Sequence, residues 1–377
     1  MEYEFKIDSN SQEAKRLVEF LKTLTYVKEE SKSPEKKEIY KSFDYKNSKI
    51  AVIGGGSWAT AIIKMLLNNV DKNNKINWFL REKKSIDFIK KFKKNPRYLR
   101  SVKLDTDKIV FFENIEEIIK KSNILIFVIP SAFLKSSLEF LKINLKDKFI
   151  VSAIKGIIPE DNTIIAEFFQ NEYKVPLSSI AVISGPCHAE EVALEKLSYL
   201  TIASKDLNKA QFISEKLSCR YIKSSISDDI FGTEYSSVLK NIFAIASGIC
   251  KSLGYGDNFQ AVLISNAIQE IENFANTVHP ISRDIKNSAY LGDLLVTSYS
   301  QFSRNRTFGA MIGKGYSVKS AQLEMNMIAE GYYALYCIHK INKKFNVEMP
   351  ITESVYRIIY KKKDAAIEIK NLTAYLK

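Results

Sequence analysis

Lys240 interrupts the apolar stripes of a predicted helix, residues 234–253, that is apolar over most of its surface. Four small residues lie one or two turns from Lys240, namely Ser236, Ser237, Ala244 and Ser247. Burial penalises the charged form of a lysine and lowers its pKa, so the group can give or take a proton near neutral pH. Lys240 is therefore a candidate for acid–base chemistry. The alternative is an ammonium group that reaches the surface or pairs with a carboxylate.

A glycine-rich stretch, KIAVIGGGSWATAI at residues 49–62, follows an apolar run and opens a helical pattern. Gly54, Gly56 and Ala59 fit the spacing G-x-G-x-x-A. In this motif the first residue makes a tight turn, the second admits a pyrophosphate, and the third lets helix and strand pack closely. Backbone N–H groups and the helix dipole then hold the phosphates. The stretch predicts a dinucleotide-binding loop, with a glycine turn that binds no ligand as the alternative.

The polar residues after the second predicted strand bear on the choice of cofactor. In a site of this kind an acidic residue holds the ribose 2′-hydroxyl of NAD, whereas an arginine accommodates the 2′-phosphate of NADP. Here Arg81 comes first and Glu82 follows it. We therefore favour NADPH as the cofactor, with NADH as the alternative.

Other candidate residues follow later strands, at the edge of the sheet where ligands bind. Three strands end in the turn-like pairs and triplets Pro130-Ser131, Lys155-Gly156 and Ser184-Gly185-Pro186. Lys155 is the only charged residue among them, and a ligand contact or a solvated turn would explain it equally well.

A further polar group lies in the stretch LGDLLVTSYSQFSRNRTFG, residues 291–309. Asp293 comes near its start, and Ser303-Arg304-Asn305 comes towards its end. A hydroxyl, a forked guanidinium and an amide together suit a phosphate ester. The pair Glu330-Gly331 within MIAEGYY is the last candidate of this kind.

Composition narrows the class of protein. The chain has 377 residues, enough for two domains, and its net charge is +13. A polyanionic partner such as nucleic acid would explain this charge, but a lysine-rich surface explains it more simply, as it does the basic patch at residues 83–100. Four cysteines without a CxxC pair and three histidines predict no disulfide framework and no metal site. The short apolar runs and the polar N-terminus predict no membrane insertion and a cytoplasmic location.

The pattern along the chain predicts three segments. Residues 1–47 form an extension, in which a helix is followed by a charged linker. Residues 48–232 alternate apolar runs with helical periods, which predicts a dinucleotide-binding α/β domain with a doubly wound, mainly parallel sheet of the Rossmann type. Residues 233–377 contain only helical patterns and predict an all-helical, substrate-binding C-terminal domain. A ligand site is expected in the cleft between the two domains.

The predicted elements have simple bounds. Strands are predicted at 49–54, 76–80, 108–112, 123–129, 149–154, 180–184, 199–204 and 220–224. Long helices of the second domain are predicted at 234–253, 259–275, 316–325, 328–346 and 351–362.

Eight motifs follow one another from about Lys49 to the C-terminus: GGGSWATA, SAIKG, SGPCHAEE, VLKNIFAIASG, LGDLLVT, SRNRTFG, AEGY and EMPITE. In this order and spacing they resemble the NAD(P)-dependent glycerol-3-phosphate dehydrogenase family of the bacterial type. The resemblance implies a Rossmann domain followed by a helical domain. It also implies reversible hydride transfer between NAD(P)H and dihydroxyacetone phosphate, which forms sn-glycerol 3-phosphate for phospholipid synthesis.

The resemblance implies roles for individual residues as well. Lys240 matches the proton donor to the carbonyl oxygen, and Lys155 matches a contact to both cofactor and substrate. The implied substrate set is Lys155, Gly185, Cys187, Lys240, Asp293, Ser303, Arg304 and Asn305. The implied cofactor set is Gly54, Gly56, Ser57, Trp58, Ala59, Arg81, Lys155, Ala189, Arg304, Ile328 and Glu330. Within it, Trp58 is expected to form a flat wall beside the dinucleotide.

This chain departs from the family pattern at three positions. Cys187 stands where many members carry serine or threonine, so its hydrogen bond would be weaker. His188 replaces a common aromatic residue, and Tyr290 replaces a frequent glycine. The partner implied by the resemblance is a small-molecule substrate, without nucleic acid, and a homodimer stays open.

The expected mechanism is hydride transfer to the ketone carbon while Lys240 donates a proton to the oxygen, with Arg304 and Asn305 anchoring the phosphate. Two rival functions stay open. A related dehydrogenase for 3-hydroxy acids shares the architecture and a catalytic lysine, but it needs an anchor for a carboxylate. A non-catalytic protein that binds dinucleotides or nucleic acid would fit the basic charge, but it would leave the family register of Lys240, Asp293 and Arg304 without a reason.

Overall fold

The computed structural model describes residues 45, 47–70, 74–325 and 329–377. The predicted extension therefore lies outside the described residues, except for Tyr45 and Asn47 at its end. Its helix and its charged linker stay predictions.

Short apolar runs form the strands of a central sheet because helices can cover both of its faces. β1 and β4 are buried at every position. The strands are β1 (Ile50–Ile53), β2 (Ile76–Phe79), β3 (Ile109–Phe112), β4 (Ile124–Phe127), β5 (Phe149–Ser152), β6 (Ile157–Ile158), β7 (Thr163–Ile164), β8 (Ile180–Ser184), β9 (Ser198–Ser204) and β10 (Ile222–Ser227).

The main sheet has eight strands in the order β10-β9-β8-β5-β4-β1-β2-β3. Neighbouring strands are parallel except β8 and β9, which are antiparallel. The strand order reverses between β1 and β4, so the crevice for a ligand lies at the carboxyl ends of these two strands. The prediction of a doubly wound, mainly parallel sheet is confirmed. β6 and β7 form a separate antiparallel hairpin that the sequence pattern did not predict.

Helices cover the sheet between its strands. They are α1 (Ser57–Leu67), α2 (Lys83–Phe92), α3 (Ile115–Lys120), α4 (Ser131–Leu138), α5 (Ile165–Tyr173), α6 (Ala189–Ala193) and α7 (Leu207–Leu217). Single turns of 3-10 helix occur at Thr106–Lys108 and Leu177–Ser179.

After β10 ends, the described part of the chain contains helices but no strand, as predicted. They are α8 (Ile230–Ser252), α9 (Asp257–Val278), α10 (Asp293–Tyr299), α11 (Arg304–Gly313), α12 (Val318–Glu324), α13 (Glu330–Phe345), α14 (Pro350–Tyr360) and α15 (Ala365–Leu372), with a π-turn at Ser288–Gly292 before α10. The sequence pattern missed α10, α11 and α15, because helices of 7 to 10 residues show too few turns for a clear period. No described helix has both the length and the apolar character needed to cross a bilayer.

Buried apolar residues of the described chain form hydrophobic cores, two of which involve α8. One packs against the sheet, where the rings of Phe127 and Phe169 are 4.9 Å apart. The other surrounds α8 and includes Tyr235. Ile230, at the start of α8, still belongs to the first core. Residues 45–377 form one compact unit, and we propose that its two lobes divide at residues 232 and 233.

Helix α8, which carries Lys240, crosses α11 at close range. At the crossing, a glycine of each helix faces the backbone of the other helix. A Cβ atom on Gly309 would overlap the carbonyl oxygen of Ile245, and a Cβ atom on Gly248 would overlap that of Arg306. Since neither position has room for a side chain, the two backbones approach closely. This crossing holds the first turn of α11 beside α8.

We expect Gly309→Ala to lower the free energy of unfolding by about 1–3 kcal/mol, because the added methyl group meets the backbone of α8. Gly256→Ala is the matched control, since no atom lies within 4 Å of its Cβ position. Loss of a glycine cap should cost the control less than about 1 kcal/mol. Denaturant unfolding measures both variants, and equal stability of the two would contradict the close crossing.

Candidate active site

A cavity of about 570 Å³ opens at the carboxyl ends of β1 and β4. Its walls come from both lobes, from the glycine loop after β1 on one side to Lys240 and the first turn of α11 on the other. Ligands of doubly wound folds bind at this point of the sheet. This cavity contains most of the predicted site residues, and the ligand site between the lobes stays a prediction.

One carboxylate joins two lysines in the wall of this cavity. The Nζ atom of Lys240 lies 2.5 Å from Oδ1 of Asp293, and the Nζ atom of Lys155 lies 3.2 Å from Oδ2. The side chains of Lys240 and Asp293 are 4% and 1% exposed, whereas that of Lys155 is 21% exposed. Lys240 thus pairs with a carboxylate, as one of the sequence alternatives had it, and it does so at the edge of the cavity.

Backbone and hydroxyl groups complete the surroundings of Asp293. Its Oδ2 atom accepts a hydrogen bond from Ser184 Oγ at 3.2 Å and one from Gly185 N at 3.4 Å. The carbonyl oxygen of Gly185 accepts a bond from Lys155 Nζ at 2.9 Å. Gly185 therefore acts on the site through Lys155 and Asp293 and does not itself line the cavity.

The electrostatics of this group set the protonation of Lys240. Burial lowers the pKa of Lys240 to about 7, with Asp293 opposing the shift and Lys155 adding to it. Burial alone would raise the pKa of Asp293, but the two ammonium groups outweigh it and hold that pKa below its usual range. At neutral pH the site therefore combines an ionised carboxylate with a lysine that can exchange its proton.

A chain of amides connects the cavity wall to the helical lobe. Asn241 donates to the carbonyl oxygen of Lys155 at 2.9 Å and accepts from Asn305 Nδ2 at 2.9 Å. Asn305 Oδ1 in turn accepts from Gly331 N at 2.9 Å. The sequence analysis missed Asn241, although a second polar residue directly after Lys240 in an apolar helix was a signal for it.

The predicted phosphate cluster lies at the N-terminus of α11. Ser303 caps this helix, because its hydroxyl accepts a hydrogen bond from Arg306 N. Arg304 is exposed and Asn305 is buried, and all three predicted residues line the cavity. A helix N-terminus with a guanidinium beside it suits a phosphate group.

The glycine loop has the shape that a pyrophosphate requires. Gly54 has φ +141°, and a Cβ atom there would overlap the carbonyl oxygen of Val128. Gly56 has no atom within 4 Å of its Cβ position, so its backbone is open to a ligand. Ser57 and Ala59 are buried in the first turn of α1, and both line the cavity. The residues present therefore fit a dinucleotide.

Trp58 lies in the wall between the glycine loop and the lysines. The ammonium of Lys155 lies 6.0 Å from the centre of its indole ring. Its Nε1 atom is buried and has no hydrogen-bond partner among the described residues. An indole with a free donor at the cavity wall agrees with a surface that contacts a ligand.

The rim of the cavity beyond β2 contains several charged residues, of which only Arg81 and Glu82 were singled out from the sequence. Arg97 forms two hydrogen bonds with Glu82, at 3.1 and 2.9 Å, while Arg81 is exposed and has no such partner within the described chain. Asn95 holds this loop by donating to Gly55 O and to Thr60 Oγ1. The basic patch at residues 83–100, interpreted as a solvated face, thus ends in a segment that lines the cavity.

The other predicted residues take simple places. Ala189 is the first residue of α6 and lines the cavity. Cys187 also lines the cavity, and burial raises the pKa of its thiol to about 12. Glu330 lines it too and accepts bonds from the amide and hydroxyl of Ser131. Ile328 lies outside the described residues. His188, a departure from the family pattern, also lines the cavity, and burial lowers its pKa to about 4.

A doubly wound sheet with a glycine loop, joined to a helical lobe that supplies a buried lysine, defines a dinucleotide-dependent oxidoreductase. Comparison with known proteins identifies the family. Residues 49–210 match the model of the NAD-dependent glycerol-3-phosphate dehydrogenase N-terminus, and residues 229–370 match that of the C-terminus. The chain belongs to this family, uses NADH or NADPH, and is an enzyme.

The sequence similarity to individual relatives extends over nearly the whole length of each relative. The chain is 32% identical over 326 residues to glycerol-3-phosphate dehydrogenase (NAD(P)+) of Clostridium botulinum strain Eklund 17B, covering 86% of this chain and 97% of the relative. It is 34% identical over 325 residues to the enzyme of the same name from Exiguobacterium sp., covering 86% and 94%. The crystal structure of glycerol-3-phosphate dehydrogenase from Coxiella burnetii aligns with a TM-score of 0.78 at 28% identity, covering 86% of this chain and 98% of that one.

Proposed function

We propose that this enzyme interconverts dihydroxyacetone phosphate and sn-glycerol 3-phosphate, with NADPH or NADH as hydride carrier, and so supplies glycerophospholipid synthesis. The observation that carries the proposal is the contact of 2.5 Å between Lys240 and Asp293 beside a cavity with a dinucleotide loop. An absorbance assay at the reduced-nicotinamide band, with dihydroxyacetone phosphate and each cofactor in turn, tests it.

The nicotinamide cofactor, when bound, supplies or takes up the hydride. The open backbone at Gly56 and the first turn of α1 would hold its pyrophosphate. Trp58, Ala189 and Glu330 line the same cavity and would border the rest of the dinucleotide. Arg81 lies at the rim without a polar partner in the described chain and would bind a 2′-phosphate. This supports our preference for NADPH.

Lys240 would supply the proton of the reaction. When the carbonyl oxygen gains negative charge, an ammonium group in contact with it can donate a proton, and in the reverse direction the neutral amine takes one back. Asp293 keeps the amine in place and stabilises its charged form. Lys155, bound to the same carboxylate and to Gly185 O, would orient the substrate oxygen.

The other end of the substrate would bind at the start of α11. Arg304 offers a charged fork, and the helix N-terminus behind Ser303 offers its dipole. Asn305 is held by Asn241 and Gly331, so its amide has a defined direction. Binding energy from the phosphate can then position the ketone without taking part in the chemistry.

The rival functions are weaker on these grounds. A 3-hydroxy acid would place a carboxylate at this anchor, and the helix N-terminus with Arg304 suits the greater charge of a phosphate better. We propose further that the enzyme acts in the cytoplasm without nucleic acid, either as a monomer or as a homodimer. A gel-shift assay at physiological salt and sedimentation of the purified protein test these points.

Lys240→Ala should reduce turnover by about 10²–10⁴-fold, because the proton donor is lost. Binding of NADPH, followed by fluorescence, should stay within about twofold of wild type, since the cofactor loop is untouched. Lys251→Ala is the control, because this lysine lies on the same helix, is exposed, and pairs with Asp257. Near-normal turnover in folded Lys240→Ala would refute the assignment.

The rate should depend on pH with opposite sign in the two directions. Ketone reduction needs protonated Lys240, so its kcat should fall as the pH rises through about 7. Alcohol oxidation needs the neutral amine, so its kcat should rise over the same range. Initial rates from two units below to two units above that pKa measure both limbs, and limbs of the same sign would exclude Lys240 as the exchanging group.

Arg81→Ser should raise the KM for NADPH by about tenfold and leave that for NADH within about twofold, because only NADPH carries the 2′-phosphate. Arg100→Ser is the control, since this arginine is also exposed and lies nearby in the sequence, at the end of the basic patch, but does not line the cavity. Equal effects on both cofactors would show that Arg81 does not bind the 2′-phosphate.

A further inference from the structure

A second buried ion pair lies at the start of α8, outside the cavity. Asp229 caps this helix, since its Oδ1 atom accepts from Gly232 N at 2.9 Å. Its Oδ2 atom accepts from Arg283 Nε at 2.8 Å, and the two side chains are 4% and 2% exposed. A Cβ atom on Gly232 would overlap the carboxylate, so glycine is required there.

The same carboxylate accepts a third hydrogen bond, from the hydroxyl of Tyr290 at 2.6 Å. Tyr290 is 4% exposed and lies in the middle of the π-turn Ser288–Gly292. This turn runs directly into α10, whose first residue is Asp293. π-turns are uncommon and often occur beside functional groups, so the conformation of this one matters for the site.

We propose, on the basis of the function given above, that Asp229 is a positioning residue which holds Lys240 and Asp293 in register. Through its cap it fixes the start of the helix that carries Lys240. Through Tyr290 it fixes the segment that carries Asp293. Neither Asp229 nor Tyr290 lines the cavity, so both act at a distance through these two elements.

Arg283 helps to keep Asp229 ionised. Burial would raise the pKa of Asp229, but the bonds from Arg283, Tyr290 and Gly232 outweigh it and hold that pKa below its usual range. Asp229 is therefore ionised at neutral pH and can accept all of these bonds at once. His279 also interacts with Asp229, and burial lowers the pKa of this histidine.

The proposed role of Asp229 predicts how a displacement of Asp293 would change the pH dependence of ketone reduction. The charged and titratable groups that face Lys240 are Asp293, Lys155 and His188. Of these, only Asp293 raises the pKa of Lys240. If Asp293 moves away, that pKa falls further, and the pH limb of ketone reduction moves to lower pH.

Tyr290→Phe removes one hydroxyl and keeps the ring. We expect kcat for dihydroxyacetone phosphate to fall by about tenfold, with KM changed by less than about twofold, because the phosphate anchor is unchanged. The pH limb should shift downward. Tyr360→Phe is the matched control: its hydroxyl donates to Tyr332 O at 2.7 Å in the same lobe, away from the cavity, and its kcat and pH limb should match wild type.

Hydrogen–deuterium exchange gives a readout that does not need activity. Amides of residues 288–299 should exchange faster in Tyr290→Phe than in wild type, whereas those of α14 should not. Unchanged exchange, or a lower kcat with an unshifted pH limb, overturns the positioning role. A wild-type enzyme that fails to turn over the triose phosphate overturns the proposed function instead, and the exchange data then decide the positioning role alone.

Arg283→Lys is a second variant, which keeps the proposal testable when Tyr290→Phe does not fold. It keeps the positive charge beside Asp229 but loses the guanidinium fork. If Asp229 positions the site, this variant should show the same downward shift of the pH limb as Tyr290→Phe, to a smaller extent. Wild-type kinetics and exchange in both variants would overturn the proposal.

Discussion

Two ammonium groups share one buried carboxylate, and the rest of the site depends on this balance of charges. A buried lysine without a counter-charge would lose its proton, and a buried carboxylate without one would gain it. Asp293 prevents the first outcome for Lys240, while Lys155 and Lys240 prevent the second for Asp293. The resulting pKa of Lys240, about 7, lies where a group can both donate and accept protons in the cell.

Holding three charges in contact demands rigid support from both lobes. Lys155 follows β5 of the sheet, whereas Lys240 and Asp293 lie on α8 and α10. Asn241 joins these parts by bonding the backbone of Lys155 from α8. The close crossing of α8 and α11 then places the start of α11, the proposed phosphate anchor, next to the lysines. The proposed proton donor, orienting lysine and anchor therefore occupy one wall of the cavity, and the glycine loop lines another part of it.

The sequence predicted the elements that have a strong period or a distinct motif. Buried strands appear as apolar runs, and the long helices of the second lobe appear as apolar stripes, so their existence and order could be predicted. The hairpin of β6 and β7 and the short helices α10, α11 and α15 could not, because a few residues do not establish a period. The same limit affects Ser303-Arg304-Asn305, for which no helix was predicted and which lies at the start of α11.

Within the site, the sequence by itself determined the glycine loop, the lysine that interrupts an apolar helix and the polar cluster after Asp293, since residue type and local spacing encode these features. Only the tertiary structure decided that Asp293 is the partner of Lys240, that Asn241 and Asn95 support the walls, and that Asp229 meets Tyr290. These contacts join residues that are 40 to 86 positions apart in the sequence. Their geometry depends on how helices and strands pack, and local spacing along the chain contains no record of that.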